Sequence, residues 1–288
     1  MPRPPLSQNR TLQILDAAQQ RGYAVAGFCC YNLEAVVASI RAAEATSSPV
    51  VVQLFPWAIQ YAGDALVRAA ADLCHSASVP ASLHLDHAQS PELVRRAADI
   101  PDGFDSIMVD MSHYEKEENL ALTRELVNYC HERGIATEAE PGRIEGGEDG
   151  VAETIDLEGV LTTPEQAEEF VATGIKMLAP AFGNVHGEYG PRGIKLEYDR
   201  LETVNATVGD RVRLILHGCD PFTEEIFTRC INAGVTKINI NKGINNHYAS
   251  SQEKTRGRPI TTTIEAGTKS MQDAAEKYMH WFRSAGKA

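Results

Sequence analysis

His87, His186 and His217 each stand at or just beyond the carboxyl end of a short apolar run, and the last two are each followed by glycine. Neutral imidazole is a common zinc ligand, and three protein ligands with a fourth position open is the arrangement of a catalytic zinc. Any one of these residues alone reads more simply as a hydrogen-bonded histidine at a rim. Three at corresponding positions read as a metal centre. Asp86 directly precedes His87, which sets a carboxylate beside the ion, where a proton has to move if a polarised carbonyl is to react. Asp110 and Glu140 end the next two runs; they either orient the ligands, offer a second metal position or cap loops. Glu148 lies in the glycine-rich stretch 143–150, which is either a closing loop that carries an acid or base or a solvated acidic loop. His84 alternates with Asp86, so it shares its face, without an assigned role.

Residues so far apart meet only if the run ends converge. Eight apolar, β-branched runs cover residues 23–28, 50–54, 81–86, 106–110, 135–140, 177–181, 212–217 and 236–240. Helical spacing appears before them at 11–21, with Leu12, Ile14, Leu15 and Ala18 on one side. It fills the gaps at 33–45, 60–75, 90–100, 117–133, 163–173, 196–204 and 221–233, and returns at 269–282. Ser90-Pro91-Glu92 and Thr162-Thr163-Pro164-Glu165 are helix starts, while Gly134 and Gly234 follow helix ends. Strict alternation of strand and helix implies a parallel sheet buried on both faces. Eight such units predict a (β/α)8 TIM barrel, one domain over residues 1–288 with an N-terminal helix, and an active site at the carboxyl-end face.

Bulk properties narrow the partners. A net charge of −12 argues against nucleic acid and anionic membranes as ligands. There is no apolar run of bilayer length, and the polar, proline-rich start lacks the apolar core of a signal peptide, so the expected location is the cytoplasm. Six cysteines with no paired CxxC spacing read as reduced thiols.

In order along the chain, Leu83-His84-Leu85-Asp86-His87, Phe104–Asp110 with Ser112-His113, Glu138-Ala139-Glu140 with Gly142-Arg143, Glu148-Asp149, His186-Gly187, Leu216-His217-Gly218 and Lys237-Ile238-Asn239 resemble the class II, metal-dependent ketose-bisphosphate aldolases. The likeness covers nearly the whole chain. It implies zinc on His87, His186 and His217, with Asp110 and Glu140 at positions that hold zinc in an alternative site. It implies Asp86 as the acid/base at the hydroxyl of the cleaved bond, and Glu148 as the loop acid that exchanges a proton on the dihydroxyacetone-phosphate carbon. Asn239 matches a substrate-contacting asparagine. Gly187 and Gly218 match glycines near the ketose phosphate and, in some members, a monovalent cation. A sugar phosphate substrate and a homo-oligomer, dimer or tetramer, are implied as well. Lys176, at the amino end of its run, and Lys237, mid-run, are poorly placed for the alternative Schiff-base chemistry.

The departures from the family lie around the substrate. Cys29 stands where an asparagine is usual, Phe55 where a serine is common, Cys219-Asp220 where a small residue and a phosphate-binding serine occur, and Asn241-Lys242 where an Asp-Thr pair helps hold phosphate. Asp220 repels a dianion unless it is paired, and Lys242 either binds phosphate or pairs with Asp220. Three readings follow: a zinc aldolase cleaving a phosphorylated ketose of the fructose 1,6-bisphosphate type; a zinc lyase for a different hydroxyketone or keto acid, phosphorylated or not; and a non-catalytic metal-binding relative. Retention of Asp86 and Glu148 argues against the last.

Overall fold

Side chains along a strand alternate faces, and a closed barrel turns one face to its axis and the other to its helices. The computed structural model, which describes residues 5–147 and 158–288, follows this rule. In chain order the strands are β1 (Val25–Cys30), β2 (Val50–Leu54), β3 (Ala81–Ala88), β4 (Ser106–Val109), β5 (Ala136–Ala139), β6 (Glu145–Gly146), β7 (Met177–Leu178), β8 (Val185–His186), β9 (Arg213–Leu216) and β10 (Val235–Ile240). Eight of them close an all-parallel barrel in the order β1-β10-β9-β7-β5-β4-β3-β2. These eight coincide with the eight runs in the sequence. β6 and β8 form a separate parallel pair in which Gly146 sits opposite His186, a pairing the sequence did not announce.

One parity of each strand packs outward: Phe28, Val52, Leu85, Ile107, Leu216 and Ile238 belong to the large core shared with the helices. The other parity fills the barrel. At its amino end Val25, Val51, Met108, Ala136, Met177 and Ile215 form a distinct apolar layer with Ile14, Leu15 and Ala18 of the helix Arg10–Arg21. That helix plugs the barrel. Its cap, Asn9, accepts from the Leu12 N–H and donates from Nδ2 to the carbonyls of Asp105 (2.7 Å) and Gly134 (3.0 Å).

The next layer toward the carboxyl end is polar. Gln53, His84, Glu138 and Lys237 point inward and are fully buried. Lys237 Nζ lies 3.0 Å from Glu138 Oε2 and donates to Gln53 Oε1 at 3.3 Å. His84 Nδ1 meets Ser106 Oγ at 2.8 Å, and Ser106 in turn meets Thr11 of the plug helix at 3.0 Å.

The helices follow their start signals. Ser90 caps Pro91–Ala98, and Thr163 with Gln166 forms a reciprocal capping box on Pro164–Val171. Two differences from expectation have local causes. The segment expected as one helix at 60–75 is two, Pro56–Ala62 and Asp64–Ser76, because Gly63 adopts φ 65 and breaks the hydrogen-bond ladder. After β10 there are two helices, Lys242–Lys254 and Ile260–Trp281, rather than one from 269. The first buries only Ile244 and Ser251, too little apolar surface to show a helical period in the sequence.

Among the described residues no helix is long and apolar enough to cross a membrane.

Removing one partner of the buried Glu138–Lys237 pair leaves an uncompensated charge inside the barrel. Lys237→Met is expected to lose about 3–5 kcal/mol in urea unfolding. A loss below about 1 kcal/mol would mean that Glu138 is satisfied without the lysine.

Candidate active site

Strict alternation would place Asp86 on the barrel axis and send its neighbour His87 outward among the helices. Both face the mouth, because His87 adopts a left-handed backbone (φ 47) and the β3–β4 register shifts between Leu85 and Ala88. His217 follows β9 and is held close to β8 by Gly218. Gly218 has φ 64, and a Cβ there would lie 2.5 Å from the Val185 carbonyl oxygen and 3.0 Å from the His186 nitrogen. His186 comes from β8, outside the barrel sheet.

The three imidazoles converge, with ring centroids 4.9 Å (His87–His217), 5.0 Å (His87–His186) and 5.7 Å (His186–His217) apart. One ligand atom from each lies within 4.8 Å of the others. Two carboxylates decide which atoms these are. His87 Nδ1 donates to Asp110 Oδ2 and His217 Nε2 to Glu138 Oε1, each at 2.8 Å. The remaining nitrogens, His87 Nε2 and His217 Nδ1, then face each other at 3.1 Å. Two bare lone pairs at that distance repel, and a cation or proton between them removes the repulsion. The Nε2 of His186 is buried with no hydrogen-bond partner. Three imidazole nitrogens that face one another, two on rings backed by carboxylates, fit a divalent ion such as zinc once they are unprotonated.

The surrounding carboxylates favour positive charge at the triad. Burial lowers the His87 pKa, but the carboxylates of Asp86, Asp110 and Glu140 outweigh it and raise it to about 10. Burial also works against ionisation of Asp110, yet the bonds from His87 and Ser112 hold it well below the usual carboxylate range. Glu138 is likewise held low against burial, chiefly by Lys237 and then His217. Glu140 is pushed up to about 8 by burial and by Asp110. One of its oxygens accepts the Ile144 N–H at 2.6 Å and the other is buried without a partner. Asp110 and Glu140 thus surround His87, and neither joins a group of converging ligand atoms among the described residues. His84, Asp86 and Glu138 form a second such group, but the Lys237 ammonium 3.0 Å from Glu138 opposes a cation there.

Asp86 is held from one side. Its Oδ2 accepts from the side-chain amides of Gln53 and Asn239, the latter at 3.0 Å, while its buried Oδ1 makes no hydrogen bond and lies 3.8 Å from His84 Nε2. Gly27 makes this possible, since a Cβ there would lie 1.9 Å from Gln53 Oε1 and 3.1 Å from Asn239 Oδ1. Asn239 Nδ2 also lies 3.1 Å from His217 Nε2.

The remaining expected site residues gather on the side of β10. Asn241 donates to the Tyr31 hydroxyl at 2.9 Å. Tyr31 stacks on Phe55 (5.6 Å, 19°), and Phe55 stacks on His87 (5.9 Å, 19°). Lys242 Nζ lies 3.5 Å from Glu188 and 3.9 Å from where a Gly187 Cβ would be. Asp220 accepts from the backbone N–H groups of Asn241, Lys242 and Gly243. Glu148 lies outside the described residues. Gln53, Glu138 and Tyr31 were not singled out in the sequence. The signal for Glu138 was available: a charged residue at an inward position of a buried parallel strand requires a partner, and Lys237 occupies a matching position.

A closed parallel barrel with an imidazole triad and an adjoining carboxylate at its carboxyl-end mouth defines a barrel enzyme with a metal-type centre. The chain belongs to the class-II fructose-bisphosphate aldolase family, whose model matches residues 9–287, and it is accordingly an aldolase-type lyase. It is 61% identical to a Coccidioides immitis (strain RS) protein provisionally named fructose-bisphosphate aldolase, over 100% of this chain and 98% of that one. A crystal structure of a Coccidioides immitis protein provisionally described as a fructose-1,6-bisphosphate aldolase superposes with TM-score 0.96 over 98% of both chains, at 61% identity. A fructose-bisphosphate aldolase of Streptococcus pyogenes serotype M1 is 34% identical over 96% of this chain and 98% of its own. The YdjI aldolase of Escherichia coli K12 superposes with TM-score 0.81 at 28% identity, covering 96% of this chain and 98% of that one.

Burial, reinforced by Lys237, lowers His84 from 6.5 to about 3. Between those pH values the unfolded chain binds a proton at this position and the folded chain does not. Stability therefore falls as pH drops through that window, by at most ~1.4 kcal/mol per pH unit from this group. In unfolding series from pH 6.5 to 4 with chelator present, His84→Gln is expected to show a shallower decline than the parent. Parallel declines would remove His84 from the account.

Proposed function

We propose that this lyase catalyses reversible, divalent-metal-dependent aldol cleavage of a ketose phosphate, with zinc as the ion and His87, His186 and His217 as its ligands. The carrying observation is the convergence of three imidazole nitrogens beside a carboxylate with one oxygen unengaged. When bound, such an ion supplies Lewis acidity, polarising the ketone and accepting the charge that develops on its oxygen.

The protein's own residues account for the rest. Asp86 Oδ1 takes the proton of the hydroxyl on C4, the C4 oxygen becomes a carbonyl, and the C3–C4 bonding pair moves to C3 to leave an enediolate. Protonation at C3 then gives the three-carbon ketone. Gln53 and Asn239 occupy Asp86 Oδ2 and so leave the other oxygen without a hydrogen bond. Asp110 and Glu138 orient the histidine rings. Glu148 is proposed for the proton on the ketone-side carbon, on the family resemblance. The names of the relatives make fructose 1,6-bisphosphate and its close analogues the substrates to try first.

Asp86→Asn is expected to lower kcat by about 10²–10⁴-fold while bound metal, measured by elemental analysis, stays at the parent level. Chelation should abolish turnover, and added zinc should restore it. Undiminished cleavage after complete metal removal would sink the reading.

A further inference from the structure

The exposed N–H groups at a helix start are a ready anion site, and beside this mouth one such start lies on the helix Lys242–Lys254, directly after β10. A substrate phosphate reaching this side of the triad would find it filled. The carboxylate of Asp220, two residues beyond Gly218, accepts from Asn241 N (3.2 Å), Lys242 N (3.2 Å) and Gly243 N (3.1 Å). The helix carries no cap of its own at Asn241, so Asp220 performs that role from twenty-one residues away. A dianion here must displace three charge-assisted hydrogen bonds and then stand against an expelled carboxylate.

Two lysines lie nearby, and neither ammonium pairs with Asp220. Lys237 is committed to Glu138 and Gln53 inside the barrel. Lys242 leans to Glu188 at 3.5 Å with its side chain 43% exposed, a pair in high dielectric. The wall between Asp220 and the triad is instead aromatic and neutral: Asn241 holds the Tyr31 hydroxyl, Tyr31 stacks on Phe55, and Phe55 stacks on His87.

We infer that Asp220 excludes phosphate from the ketone end of the substrate, so that the chain cleaves a ketose whose C1 carries an unphosphorylated hydroxymethyl group and releases dihydroxyacetone rather than its phosphate. This rests on the aldol-cleavage reading above and concerns the ketone end alone; the aldehyde end keeps whatever phosphate it has. Proton and electron accounting is that of the cleavage already described, since the C1 substituent takes no part in bond breaking.

The test compares fructose 6-phosphate with fructose 1,6-bisphosphate, which differ only in the C1 phosphate and yield the same aldehyde, glyceraldehyde 3-phosphate. With the zinc-loaded full chain, kcat/KM is expected to favour fructose 6-phosphate by roughly tenfold or more. Asp220→Ser, which uncovers the helix start, is expected to shift that ratio roughly tenfold or more toward the bisphosphate. Asp220→Asn, which keeps an oxygen on the N–H groups without the charge and so guards against a folding defect, should shift it in the same direction by less. A parent that prefers the bisphosphate, or a ratio unmoved by both variants, would overturn the inference. If neither sugar is cleaved, the aldol-cleavage reading is what fails, and calorimetric affinities of the two sugars for an Asp86→Asn chain then decide this one. Tighter fructose 6-phosphate binding, reversed on adding Asp220→Ser, supports it; equal affinities, or no binding of either sugar, overturn it.

Discussion

A carboxylate cannot remain charged and unpaired inside a parallel barrel, and the site is arranged around the way Glu138 is satisfied. One oxygen takes the Lys237 ammonium and the other takes the Nε2 hydrogen of His217. The first contact neutralises the charge where both side chains are fully buried, and the second fixes the tautomer of an imidazole at the mouth. Through Lys237 the same network reaches Gln53, and through Gln53 it reaches Asp86. A structural necessity of the barrel interior therefore becomes the means by which a triad imidazole is oriented and one oxygen of Asp86 is held.

The opposite side of the triad solves a different problem. His87 has to share the mouth with Asp86, although the two are adjacent in a strand. The solution is a backbone conformation that non-glycine residues seldom adopt, held by the Asp110 contact and by the Phe55 ring stacked on the imidazole. Strain at this position is local, and the rest of the strand keeps its alternation. Gly218 does comparable work between β8 and β9 by allowing two backbones to approach closely.

Specificity and chemistry are then borne by different parts of the mouth. The triad, Asp86 and their supporting carboxylates hang on β3, β4, β5, β8 and β9, while the wall of Tyr31, Phe55, Asn241 and Asp220 is built from segments following β1, β2, β9 and β10. Residues on this wall can change without disturbing the buried charge layer. Such separation is how one barrel supports related reactions on different substrates.

The sequence by itself determined the eight strands, most of the helices, the helix at the amino end and the choice of three histidines and Asp86 as candidates. Those properties follow from local pattern: alternation, helical period, capping residues and the position of polar residues at run ends. The family resemblance rested on the same motifs. Tertiary structure alone decided the pairing of Glu138 with Lys237, which joins strands on different sides of the barrel. It also decided the turn at His87, the aromatic stack from His87 to Tyr31 and the β6–β8 pair beneath His186. It decided the partner of Asp220 too: the sequence left open whether this acid pairs with Lys242, and its carboxylate takes the backbone N–H of Lys242, not the ammonium. It binds the backbone N–H groups of a helix whose own pattern was too polar to be read. Backbone donors look alike in every residue, so their direction in space is set by the fold and cannot be read from residue types.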